Sequence, residues 1–76
     1  MTKEEIQKQV GSRIVQLRKD RGMKQIELAH LLEIEDSALR RIESGRTNCT
    51  IWLLFRISNA FNISLAELLN DIAELH

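Results

Sequence analysis

The sequence predicts an all-α fold, five short helices gathered into one compact domain. Three observations predict it. The 76 residues contain no Pro and only three Gly. Apolar residues recur at helical spacing rather than in alternation. Cap and stop residues interrupt the chain at regular intervals. The length corresponds to a single domain, residues 1–76, too short for an enzyme with a cleft between two lobes.

The elements follow in order. Thr2 with Glu5 makes a capping box, each side chain satisfying the other residue's free N–H. Ile6, Val10, Ile14 and Leu17 form one narrow stripe, Arg18, Lys19 and Arg21 suit the dipole of a last turn, and Gly22 follows as a stop. The first helix therefore spans about Lys3 to Arg21, and Gly11 within it costs about 1 kcal/mol against Ala. A second helix fits Gln25 to Leu32, with Leu28, Ala29 and Leu32 inward. After Glu33-Ile34-Glu35 a third runs from Asp36 to Glu43, burying Ala38, Leu39 and Ile42, with Asp36 as N-cap or first-turn anion. Ser44-Gly45 ends it, and Arg46-Thr47-Asn48-Cys49 is a loop. Thr50 caps a fourth helix reaching about Phe61, with Asn62 as terminator. Ser64 and Glu67 make a second capping box, Ile63 staples to Leu68, and the fifth helix carries Leu65, Leu68, Leu69 and Ile72 to about Leu75.

Composition excludes several classes. A lone Cys49 forms no intrachain disulfide, and Cys49, His30 and His76 lack metal-ligand spacing, so neither metal nor cofactor is expected. No base–nucleophile pair can be proposed, so an enzyme is not expected. Apolar runs reach only four or five residues, as in Ile51-Trp52-Leu53-Leu54-Phe55, and the opening Met1-Thr2-Lys3-Glu4-Glu5 is no secretion signal. The expectation is a soluble cytoplasmic domain with no membrane and no small-molecule ligand. Eleven Lys and Arg balance eleven Asp and Glu, which argues against nucleic acid as a partner.

The second and third helices nevertheless have the length and separation of a helix-turn-helix, about residues 24–44. Projected at about 100° per residue, the third helix turns Asp36, Ser37, Arg40, Arg41 and Ser44 away from its buried side. Arg forks can bind guanine O6 and N7 together, and small hydroxyls reach bases or phosphates. Such a stripe is elsewhere an ordinary solvated face; on the second helix of this motif it favours base readout.

Gly22-Met23-Lys24-Gln25-Ile26-Glu27-Leu28-Ala29, continued by Asp36-Ser37-Ala38-Leu39-Arg40-Arg41-Ile42-Glu43-Ser44-Gly45-Arg46-Thr47, resembles the helix-turn-helix family of phage repressors, Cro proteins and xenobiotic-response-element-type bacterial regulators. Arg13 to Arg18 and Ile57 to Ser64 add further matches, so the likeness runs from about residue 10 to residue 69. It implies a lambda-repressor-like DNA-binding domain. By that resemblance Asp36, Ser37 and Arg41 contact bases and Arg40 a base edge or a phosphate, while Gln25, Ser44, Arg46, Thr47 and Asn48 contact phosphates. Arg18 and Glu43 match an interior ion pair of structural role. Three residues depart from the pattern: Glu33 replaces a turn Gly, Glu35 the usual Ser or Thr cap of the third helix, and Lys24 that of the second.

The family pattern leaves the positions of Trp52 and Leu53 polar, whereas here residues 51–55 are apolar without a gap. Helices four and five, about 51–75, are therefore assigned to core and dimerisation, with Trp52, Leu53, Leu65, Leu69 and Ile72 as the interface. A twofold dimer sets two recognition helices roughly 34 Å apart, the spacing of successive major grooves on a palindromic site. The expected function is a homodimeric regulator of transcription on double-stranded DNA, a restriction-modification controller or autoregulatory repressor. The alternative is an antitoxin binding both operator DNA and a toxin. Neutral net charge then describes two surfaces: residues 1–50 carry ten basic and eight acidic groups, residues 51–76 one and three.

Overall fold

The computed structural model describes residues 1–70 and residue 72. Its elements are α1 (Lys3–Asp20), α2 (Gln25–Leu32), α3 (Asp36–Glu43), α4 (Ile51–Ala60) and α5 (Leu65–Leu68), with no strand among the described residues. No helix there is long and apolar enough to cross a membrane.

The helix starts follow the sequence. At α1, Glu5 N–H donates to Thr2 Oγ1 and Thr2 N–H to Glu5 Oε1, both at 3.1 Å. These bonds hold the Glu5 carboxyl below its ordinary range. Thr50 and Ser64 accept from Leu53 and Glu67 N–H and cap α4 and α5, but only this half of the expected Ser64–Glu67 box forms among the described residues. Lys24 has no acceptor atom, so α2 carries half a box, with Lys24 N–H donating to Glu27 Oε1 at 2.7 Å.

Four helices end in the same reversal. Met23 N–H returns to Arg18 O, Ile34 to Ala29 O, Arg46 to Arg41 O and Ile63 to Ser58 O, each across five residues. The intervening residue is left-handed in every case: Gly22, Glu33, Gly45 and Asn62, with φ of 63°, 57°, 79° and 59°. This is the Schellman arrangement, which satisfies the last carbonyls of a helix. Glu33 alone adopts it without a suited side chain, which is the strain expected from its replacing Gly.

Ile14, Leu17, Leu28, Ala29, Leu32, Leu39, Ile42, Ile57, Phe61 and Leu68 form the core. α1 packs on α3, α2 on α3 and α4, and α4 on α5. The α1–α3 crossing is a backbone contact: a Cβ on Gly11 would stand 2.5 Å from Glu43 O and 2.6 Å from Ile42 O. Gly11 is thus the residue that lets the two helices meet. Arg13 in α1 and Arg21 just after it satisfy carbonyls at two other helix ends. Arg13 donates to Glu67 and Leu68 O, and Arg21 donates to Phe61 O while lying over the Phe61 ring.

Three expectations change. α5 is one turn long, since Asn70 N–H bonds Glu67 O and Ile72 N–H bonds Leu69 O, the short spacing of tight turns. Asn70, whose side chain competes for backbone bonds, stands where propagation stops. The remainder of the expected helix, at 71 and 73–75, lies outside the described residues. Ala38 is half-buried rather than core, and Ile6 stays exposed at the edge of the α1 stripe, bordering a cleft of about 270 Å³.

Candidate nucleic-acid interface

The surface is built on α3. Leu39 and Ile42 anchor it inward, which turns Ser37, Arg40, Arg41 and Ser44 into solvent. The short turn Glu33–Glu35 then brings the start of α2 alongside. As a result Gln25, Ser37, Arg40, Arg41, Ser44 and Arg46 line one open groove of about 580 Å³ with Glu43 at its floor. Ser44 Oγ donates to Arg41 O at 3.2 Å, which closes the end of α3 under that groove.

Beneath it lies a hydrogen-bonded carboxylate. Arg18 Nε donates to Glu43 Oε2 at 2.8 Å and Arg18 Nη2 to Glu43 Oε1 at 3.2 Å. The two side chains are 11% and 5% exposed. Arg18 Nη1 also donates to Met23 O at 2.9 Å, so one guanidinium ties α1, the α1–α2 turn and α3 together. Gln25 Nε2 adds a third bond to Glu43 Oε1, at 2.8 Å. Glu43 is therefore neutralised by Arg18 at the floor of the groove, where Arg40, Arg41 and Arg46 make no ion pair with the described residues. The groove is basic although the chain is neutral.

The other expected contact residues sit around this groove rather than in it. Asp36 is half-buried at the first position of α3, behind Glu35, which takes the cap position without a side-chain bond. Thr47 and Asn48 line the neighbouring cleft that includes Cys49. Burial pushes the Cys49 thiol up, which keeps it protonated at neutral pH and a poor nucleophile. Among the described residues no cluster of His, Cys, Asp and Glu could hold a metal.

Of the expected interface residues, Trp52 is 68% exposed, while Leu53, Leu65, Leu69 and Ile72 are half-buried. Ile51 and Phe55, which sequence reasoning left out, are 75% and 44% exposed. Trp52 and Phe55 stack with ring centroids 6.0 Å apart, so Ile51, Trp52 and Phe55 form one apolar patch on α4. The helix is apolar round most of its start, and the chain's own fold covers only part of it. The Gln25–Glu43 bond was also missed, because nothing in sequence pairs residues on different helices.

A second helix of eight residues, three intervening residues and a third helix presenting arginines outward define a helix-turn-helix domain. The chain belongs to the helix-turn-helix family, whose match covers residues 14–68. This is the group of phage-repressor and Cro-like transcriptional regulators, not of enzymes. The transcriptional regulator RamB of Mycobacterium tuberculosis is 44% identical over 54 residues, which is 71% of this chain but 11% of RamB. The chain thus spans about a tenth of that relative. Among solved structures, the restriction-modification controller protein C.AhdI of Aeromonas hydrophila superposes with a TM-score of 0.76 at 28% identity, covering 83% of this chain and 94% of that one. SinR, a master regulator for biofilm formation solved in complex with DNA, superposes at 0.72 with 35% identity, covering 80% and 98%.

Proposed function

We propose that the protein binds double-stranded DNA sequence-specifically as a homodimer and regulates transcription from a palindromic operator. The observation that carries this reading is the groove in which Ser37, Arg40 and Arg41 share one wall with Gln25, Ser44 and Arg46. Arg40 and Arg41, with Ser37 and Asp36, read base edges in the major groove. Gln25 uses the Nε2 proton not given to Glu43 on a phosphate, beside the free N–H groups at the start of α2. Ser44, Arg46, Thr47 and Asn48 contact the same backbone further along.

The second copy covers the apolar surface of α4 and α5: Trp52, Leu53, Leu65, Leu69 and Ile72, extended by Ile51 and Phe55. A large exposed aromatic patch of this kind is the usual mark of a protein interface. Residues 1–76 act as one domain in the cytoplasm, with residues 24–44 for DNA and 51–75 for core and pairing. The likeness in fold to a restriction-modification controller supports that role, or autoregulatory repression, as the leading context.

Arg41→Ala tests the reading. It should cost about 1–3 kcal/mol on a site selected from random DNA and relax one base position. Gel shifts on selected and scrambled duplexes give the comparison; equal losses on both reject the base-reading role. Sedimentation at micromolar concentration tests the dimer, and a monomer throughout removes the two-half-site geometry. The antitoxin reading is favoured by a second exposed apolar surface, Ile26 and Leu31 on the outer face of α2, with the half-buried Met23 beside them.

A further inference from the structure

We propose a second phosphate-binding surface at the start of α1, carried by Lys3 and Lys8 and continuous with the α3 groove through Arg46. It rests on the DNA reading above and extends that site beyond residues 14–68, the span shared with the family.

Arg46 borders two grooves. One is the α3 groove; the other, of about 550 Å³, is lined by Lys3, Lys8, Asn48 and Arg46 with Glu4 and Gln7. Arg46 and Asn48 are residues already assigned to phosphate. A duplex backbone leaving the α3 groove past Arg46 therefore meets Lys8 and then Lys3.

The position of that segment is fixed by packing. Gln7 Nε2 donates to Gly45 O at 3.1 Å. A Cβ on Gly45 would stand 2.7 Å from Lys8 Cα, so the α1 backbone at Lys8 lies directly on the turn that follows α3. Three residues further along α1 than Lys8, Gly11 seats α1 against the end of α3. The lysines thus ride on a rigid helix docked to the recognition element, not on a loose arm.

Charge selects the occupant. Lys3, Lys8 and Arg46 share the groove with Glu4, Glu5 lies near enough to feel the charge of Lys8, and none of these cations takes part in an ion pair with the described residues. An extended polyanion with regular charge spacing matches a row of three cations split between two elements; an acidic peptide has no reason to prefer the path that continues from Arg41. The contacts carry no base information, so they add affinity uniformly over sequence.

The test is the salt dependence of binding to a duplex carrying the site that the wild-type protein enriches from a random pool. Each lost phosphate contact should lower the slope of log K against log salt by about 0.9. The Lys3→Gln, Lys8→Gln double variant is expected to lower it by close to 1.8 per protomer, with an unchanged ratio of affinity for selected over scrambled DNA. Lys19→Gln, at the opposite end of α1, controls for net charge and should leave the slope in place. A double variant with the wild-type slope, or a Lys19→Gln slope that falls equally per charge removed, overturns the second surface while leaving the DNA reading intact. Wild-type protein that enriches no site and binds no duplex overturns the DNA reading itself.

Discussion

Gly11→Ala is the sharpest test of how the recognition helix is held. On propensity alone the change should stabilise, because Ala exceeds Gly by about 1 kcal/mol inside a helix. The structure reverses the sign. The added Cβ meets Glu43 O at 2.5 Å, Ile42 O at 2.6 Å and Glu43 C at 2.9 Å. Ordinary contact begins near 3.4 Å, so α1 and α3 must part by close to an ångström where they cross. All three obstructing atoms are backbone, and no rotamer change removes them. Overpacking a fitted core costs about 1–3 kcal/mol. This site falls at the upper end, because the Arg18–Glu43 bonds span the same crossing. Net of the propensity gain, the loss is about 2 kcal/mol, a large share of the roughly 3–5 kcal/mol that a core of this size supplies. For a domain of this length that is a fall of about 8–16 °C in Tm, read by far-UV circular dichroism. Gly22→Ala is the control, since a Cβ there meets nothing within 4 Å and suffers only the left-handed φ of 63°. A Gly11→Ala protein that melts at or above wild type, or a Gly22→Ala protein that loses more, refutes the close crossing.

Two further outcomes follow from local geometry. Glu33→Gly should raise stability by about 1 kcal/mol, since it relieves a left-handed L-residue; its ion pair with Arg56, at 3.8 Å, is solvent-screened and worth little. Urea unfolding would show the midpoint move up, and a lower midpoint would mean the turn is unstrained. Glu43→Ala leaves Arg18 buried and unpaired, at a cost of about 3–5 kcal/mol, enough to leave little folded protein. A thermal melt close to that of wild type would show that water reaches Arg18.

Helix starts and stops were legible because they are local: Thr2, Thr50 and Ser64 cap as their type dictates, and Gly22, Gly45 and Asn62 terminate as expected. Arg40 and Arg41 were legible from the phase of α3 alone. Contacts between elements were not. Gly11 read as a liability because its Cβ-free face matters only once α3 lies across it. Arg21 reads as a last-turn cation and Arg13 only as part of a family match, yet each donates to carbonyls at a distant helix end. The extent of α5 was overread because Leu69 and Ile72 continue the apolar period after hydrogen bonding has tightened.

The outward and inward sides of α3 are nearly independent. Ser37, Arg40 and Arg41 make no side-chain bond with the described remainder of the chain, whereas Leu39, Ile42 and Glu43 hold the helix in place. A change at 37, 40 or 41 therefore leaves folding untouched and alters only what the groove can meet. Such a domain can drift to a new operator by single steps, each intermediate remaining folded. The exception is the amide of Gln25, tied to the same carboxylate that secures α3: its replacement is felt by scaffold and groove together, so that position is the slower one to evolve.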